Sequence, residues 1–232
     1  MRKPKIKPII DKVGSTIKKA IRGLRGRNVA YDGNIDNYKQ LSGLAYKSIG
    51  DRDSISSDAS KLGYNLDTDL SNDETKVFVN PNDKKAVVAY RGTQLNRRKS
   101  AKKDLISDAA ILFGAEKHDK RFKEANNHFQ NVKDKYKDFQ LDTTGHSLGG
   151  QLAKYVTDKN LDKVNKNVNF NRGSGLFEPF RKKSNKTIDV SNKNDIISAT
   201  TRLQGGKHTI EKKNKGLLGS HSLKNLFSNF KN

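Results

Sequence analysis

The apolar residues of this chain fall into short segments of two different periods. Ala86-Val87-Val88-Ala89-Tyr90 is an unbroken apolar run, the pattern of a strand buried on both faces, and it ends in Arg91-Gly92-Thr93. Residues 76–80 and 85–90 flank Pro81-Asn82-Asp83, which predicts a hairpin. Phe139-Gln140-Leu141-Asp142-Thr143-Thr144 alternates apolar and polar side chains, a short strand. Val168 with Phe170, and Ile188-Asp189-Val190, mark two more. Elsewhere the spacing is three and four. Ile35, Tyr38, Leu41 and Ala45 predict a helix over 35–49, and Phe122, Ala125, Phe129, Val132 and Tyr136 one over 116–137. Leu148, Leu152, Tyr155 and Val156 share a third helical face. Residues 25–34 read as a linker and 50–60 as a polar loop. Strands alternating with helices predict an α/β fold with a layered sheet.

Between the strand at 139–144 and the helix that follows lies Gly145-His146-Ser147-Leu148-Gly149-Gly150, a G-x-S-x-G turn with one extra glycine. A serine held at a sharp strand-to-helix turn has strained dihedrals and close neighbours, and glycines two residues before and after it leave room. The helix behind it offers backbone N–H groups to a developing oxyanion. The strand–turn–helix setting is the one this motif requires. Serine is a poor nucleophile until a base takes its proton, so the rest of the chain has to supply a histidine and a carboxylate.

The G-H-S-L-G-G turn, the V-V-A-Y-R-G-T segment, Asn194-Asp195-Ile196 and His221-Ser222-Leu223 occur in the order that resembles the class-three lipase family of α/β-hydrolases, the fungal lipases and their phospholipase A1-like relatives, from about Ile35 to Phe227. The resemblance implies an α/β-hydrolase fold with a mostly parallel central sheet flanked by helices. It implies Ser147 as nucleophile, His221 as base, Asp195 as orienting acid, and an oxyanion hole from the backbone N–H groups of Leu148 and Thr93. His208 competes with His221, and Asp189 with Asp195; the loop position of Asp195 after its strand and the helical pattern behind His221 favour the first of each pair. His146 is expected to pack beside the turn, and His118 and His128 to be solvated or half-buried on the preceding helix. In this family the segment after Thr93 forms a lid. Here it holds Arg97, Arg98, Lys99, Lys102 and Lys103, then an apolar stretch from Leu105 to Phe113, with Asp104 and Asp108 read as capping or orienting it.

These features predict a serine-dependent hydrolase of lipid esters, of lipase or phospholipase A1 type, working through an acyl-enzyme and needing no cofactor and no metal. Thioester hydrolysis or acyl transfer on the same fold is the alternative chemistry. A basic, virion- or nucleic-acid-associated scaffold is the non-enzymatic one.

Charge adds a second theme. The 232 residues carry a net charge of +22, with 32% hydrophobic and 31% charged residues, so the core is economical and much of the chain is solvated. Residues 1–27 hold ten Lys or Arg against one Asp. Ile6, Ile10, Val13, Ile17, Ile21 and Leu24 line one helical face there. The division is thus a basic amphipathic arm and linker over 1–34 and an α/β-hydrolase domain over 35–232. Three readings of the arm compete: contact with an anionic membrane surface, shared with residues 97–103; contact with nucleic acid; or a solvated or docked tail. The lysine- and asparagine-rich composition also resembles lipase-like proteins of bacteriophages and large viruses. No signal-peptide h-region and no apolar run of membrane-spanning length is read in the sequence, which leaves localisation undetermined. Absence of cysteine excludes disulfides and thiolate metal sites.

Overall fold

The apolar run around Val88 forms a strand covered on both faces, and the rest of the sheet is built outward from it. The computed structural model describes residues 34–93, 117–173, 184–192, 195, 198, 201, 207–211 and 221–223. The amphipathic arm, the linker up to residue 33, the basic lid segment with Asp104 and Asp108, and the helix expected beyond Leu223 lie outside the described residues, while Asn34, read as the linker's last residue, opens the first helix.

Among the described residues seven strands form one sheet in chain order: β1 (Asn65–Leu66), β2 (Thr75–Asn80), β3 (Lys85–Tyr90), β4 (Gln140–His146), β5 (Val164–Phe170), β6 (Thr187–Asn192) and β7 (Lys207–Glu211). The first three are antiparallel, with β2 and β3 joined by the expected hairpin, and β3 to β7 run parallel. The helices are α1 (Asn34–Leu44), α2 (Arg52–Ser60), α3 (Lys117–Lys135) and α4 (Leu148–Lys159).

Alternation along each strand sorts the core into two layers. Phe78, Val87, Ala89, Val168, Phe170 and Val190 pack with Ile35, Tyr38 and Leu41 of α1 and Ile55 and Ala59 of α2. Val77, Val79, Ala86, Val88 and Tyr90 pack with Ala125, Phe129 and Val132 of α3 and Leu152 and Val156 of α4. A register irregularity pairs Leu141 with Val164 but Asp142 with Lys166. It places Val164 in the α3/α4 layer and Val168 and Phe170 in the α1/α2 layer, as a one-residue slip in a period-two strand must.

Four elements differ from the sequence reading. The polar loop expected over 50–60 is helical: a short 3-10 turn over Ile49–Asp51 runs into α2. Its two apolar residues, Ile55 and Ala59, sit one turn apart and are fully buried, and Asp58 is paired with Lys47 and Lys61. The helix expected over 35–49 ends at Leu44, so Tyr46 and Lys47 lie in the turn after it. The two outermost strands, β1 and β7, carry no run of apolar residues to mark them in the sequence.

Candidate active site

The parallel strands bring their C-terminal ends to one edge. Along it, Tyr90, Gly145, Asn169, Asp189 and His208 form a single row of paired residues across β3 to β7. The chain leaves β4 two residues beyond this row, at Ser147.

Ser147 has φ 57° and ψ −124°, a region that costs a non-glycine residue about 1–3 kcal/mol. The surroundings hold it there. Its N–H donates to the Phe170 carbonyl at 3.1 Å, and its own carbonyl accepts from the N–H groups of Gly150, Gln151 and Gly173 at 3.1, 3.3 and 3.2 Å. Two glycines make the turn sterically feasible. A Cβ at Gly145 would overlap the Gly149 carbonyl group and come within 2.6 Å of the Gly150 nitrogen. One at Gly149 would overlap the Tyr90 carbonyl oxygen and stand 2.9 Å from the Gly92 nitrogen. The second contact shows that α4 begins directly against the loop that leaves β3, the loop carrying Thr93. Leu148 is the first residue of α4. The two expected oxyanion donors therefore belong to backbone segments that touch beside Ser147.

The Ser147 hydroxyl makes no cap to its own helix. It lies instead 2.8 Å from His221 Nε2. His221 Nδ1 stands 3.1 Å from each carboxylate oxygen of Asp195. Asp195 is buried, and its Oδ2 also accepts from the Ser198 N–H at 3.2 Å. A carboxylate only accepts, so the proton on the imidazole sits on Nδ1, and Nε2 presents its lone pair to the hydroxyl. Hydroxyl, imidazole and carboxylate are thus aligned with each proton directed one way.

The competing residues have other partners. Asp189 takes a buried bidentate contact from Arg172, with Nε at 2.9 Å and Nη2 at 3.0 Å, and a further bond from Asn169 Nδ2 at 3.1 Å. His208 belongs to β7 and pairs with Asp189 in the row behind the serine. His128, half-buried on α3, donates from Nε2 to the Leu70 carbonyl at 2.7 Å, and burial lowers its pKa. His146 does pack beside the turn. Its Nδ1 is 2.8 Å from the Tyr46 hydroxyl and its Nε2 is 2.8 Å from the carbonyl of His221. Burial, reinforced by repulsion from His221, pushes its pKa down to about 3, so it is neutral.

Sequence reasoning missed several supports of this site. Asn171, in the left-handed region at φ 43°, ends β5 and donates from Nδ2 to the His221 carbonyl at 2.9 Å. Its Oδ1 accepts from the Asn192 N–H at 2.9 Å, which ties the ends of β5 and β6 to the histidine. Glu74 bridges Arg91 and Arg121, and Arg121 donates to the Arg91 carbonyl at 2.7 Å, clamping the loop before Thr93 to α3. Asparagine in a left-handed strand end is a signal the sequence offers; the partners of Glu74 and Arg121 are set by tertiary structure alone. Among the described residues no group of three or more His, Asp or Glu side chains could hold a metal ion, and no helix is long and apolar enough to cross a membrane.

No protein-family model and no curated protein sequence matches the chain. Solved structures do. The Lip2 lipase of Yarrowia lipolytica superposes with a TM-score of 0.52 at 15% identity, covering 81% of this chain and 82% of that one. Its nonglycosylated form gives 0.51 at 15% identity, covering 75% and 77%. Lipase II from Rhizopus niveus gives 0.47 at 12% identity, covering 79% and 83%. At such identities the likeness is one of fold: this chain has the α/β-hydrolase fold of the fungal-lipase kind.

Proposed function

Starting from that fold, we propose that the chain is a serine ester hydrolase acting on lipid esters, phospholipid acyl chains among them. The observation that carries the reading is the aligned set Ser147, His221 and Asp195, with 2.8 Å between hydroxyl and imidazole. Two further observations support it: the strained turn that presents the serine, and the shared fold with a protein described as a lipase.

The chemistry follows from the proton directions. Ser147 Oγ attacks the carbonyl carbon of the ester while His221 Nε2 takes the hydroxyl proton. Asp195 stabilises the resulting imidazolium through Nδ1–H. The carbonyl oxygen becomes an oxyanion between the N–H groups of Leu148 and Thr93; each such donor is worth about 3 kcal/mol of barrier. Collapse breaks the ester C–O bond, and the departing alcohol leaves with the proton from His221. Water then attacks the acyl-enzyme, giving its proton to Nε2, and the second tetrahedral species expels Ser147, which recovers that proton.

A serine-directed fluorophosphonate tests the core of this reading: wild type is labelled and Ser147→Ala is not. Absence of labelling in folded wild-type protein overturns it. The lipid preference rests on Arg97, Arg98, Lys99, Lys102 and Lys103, a cationic stretch suited to a phosphate-bearing surface. Replacing these five with glutamine should lower turnover on anionic phospholipid vesicles more than on a soluble short-chain ester. Equal losses on both remove the phospholipid part and leave the esterase.

A further inference from the structure

The proton directions continue beyond the three residues above, into a second chain of hydrogen bonds that crosses the first at residue 221. The carbonyl of His221 can only accept, so the bond at 2.8 Å from His146 Nε2 requires that nitrogen to carry the proton. His146 is buried and neutral, so its Nδ1 is a bare lone pair, and the Tyr46 hydroxyl at 2.8 Å must be the donor to it. The phenol oxygen in turn accepts from the backbone N–H of Gly92. Gly92 is tight against it: a Cβ there would overlap the phenol oxygen and lie 2.6 Å from the His146 carbonyl oxygen. The series runs from Gly92 N–H to Tyr46, from Tyr46 O–H to His146 Nδ1, with a longer 3.4 Å contact from the same hydroxyl to the His146 carbonyl, and from His146 Nε2–H to the carbonyl of His221.

We infer that Tyr46 and His146 are positioning residues that set the distance between the oxyanion loop and the imidazole base. The inference rests on the hydrolase reading above and deepens it. Neither side chain can move a proton in the reaction, since both ring nitrogens of His221 already face Ser147 and Asp195. What they do is mechanical. The residue before Thr93 and the main chain of His221 are 129 positions apart in sequence (221 − 92), and the hydroxyl of Tyr46 with the ring of His146 joins them through three bonds. Asn171 braces the same carbonyl of His221 from β5. Productive attack needs the nucleophile, base and oxyanion donors placed together to a fraction of an ångström, and an error of about 1 Å costs on the order of 100-fold in rate.

The test uses the whole chain and a soluble short-chain ester. Tyr46→Phe cuts the series at its centre while keeping the ring. Its kcat should fall about 10- to 100-fold with KM within about twofold, as expected for misplaced groups rather than lost substrate binding. His146→Gln, which keeps a donor for the His221 carbonyl, should retain several-fold more kcat than His146→Leu. Tyr46→Phe combined with His146→Leu should be no slower than His146→Leu alone, because both cut one chain. Thermal melts confirm that each variant is folded. A Tyr46→Phe enzyme with wild-type kcat, or losses that multiply in the double variant, overturns the inference while the hydrolase reading stands. Unlabelled wild type overturns the hydrolase reading instead. Nitrogen NMR of the His146 ring reads the bonding without turnover: a proton on Nε2 supports the series in either case, and a proton on Nδ1 refutes it.

Discussion

Mild acid should destabilise this protein through a histidine that takes no part in proton transfer. His146 is 8% exposed, wedged between Tyr46 and the main chain of His221, and burial lowers its pKa from 6.5 to about 3. In the unfolded chain it titrates at the ordinary value. Between 6.5 and about 3 the unfolded state therefore binds a proton that the native state refuses, so stability falls as the pH falls through that window. The slope for one such group is ~1.4 kcal/mol per pH unit. Going from about pH 7.5 to about pH 5 crosses roughly one and a half units of the window, a loss of about 2 kcal/mol from a typical 5–15 kcal/mol. Gln at 146 cannot take a proton. Urea unfolding of wild type and His146→Gln at several pH values over this range should give curves that converge by about 2 kcal/mol toward acid. The difference isolates His146, because His128, whose pKa burial also lowers, contributes equally to both proteins. Asp67 and Asp73, whose pKa values are lowered, act only at more acid pH. Parallel curves would refute the claim that His146 is buried without its proton.

Two further outcomes follow from the site. Gly149→Ala drives a methyl group into the backbone of Tyr90 and Arg91, which cannot yield as a side chain would; hydrolysis should drop by about 100-fold or more, measured as kcat on a soluble ester, with about 1–3 kcal/mol lost in urea unfolding. Asp189→Asn strands the buried Arg172 and should cost about 3–5 kcal/mol of stability, whereas Asp195→Asn should leave the fold in place and cut kcat about 10⁴-fold. Melting curves and kcat measured on the same pair decide it, and an exchange of the two effects would assign the acid to β6.

The strands legible in the sequence are those whose apolar residues run unbroken or alternate strictly, β2, β3 and β4, with β5 and β6 marked by two or three residues each. Such patterns arise because a central strand meets a helix layer on each face. Edge strands lack that demand, and β1 and β7 had nothing to mark them. Helix α2 carries little apolar pattern because two buried residues, Ile55 and Ala59, dock all nine, and its remaining side chains are those of a loop. The glycines of the serine turn were readable because steric need is local: Gly145 and Gly149 answer to atoms a few residues away or to the adjacent strand. Asp195 and His221 were readable from weaker signals: their order in the chain, the loop position of Asp195 after its strand and the apolar helical spacing behind His221. Tyr46 was one helical-looking residue among several, since its partners, Gly92 and His146, lie 46 and 100 positions further on (92 − 46 and 146 − 46).

The sheet's strand order repeats the order of synthesis, and this has a bearing on how the molecule comes together. Each new strand from β2 to β7 finds its docking edge already made, so a growing chain can add one segment at a time without holding a gap open for a later arrival. The serine turn is secured once β5 offers the Phe170 carbonyl. The imidazole at position 221 comes some fifty residues later, by which point β6 and β7 have both been made. Ribosome-bound intermediates would accordingly carry the paired strands with the Ser147 turn already secured, and the imidazole that meets its hydroxyl would arrive last.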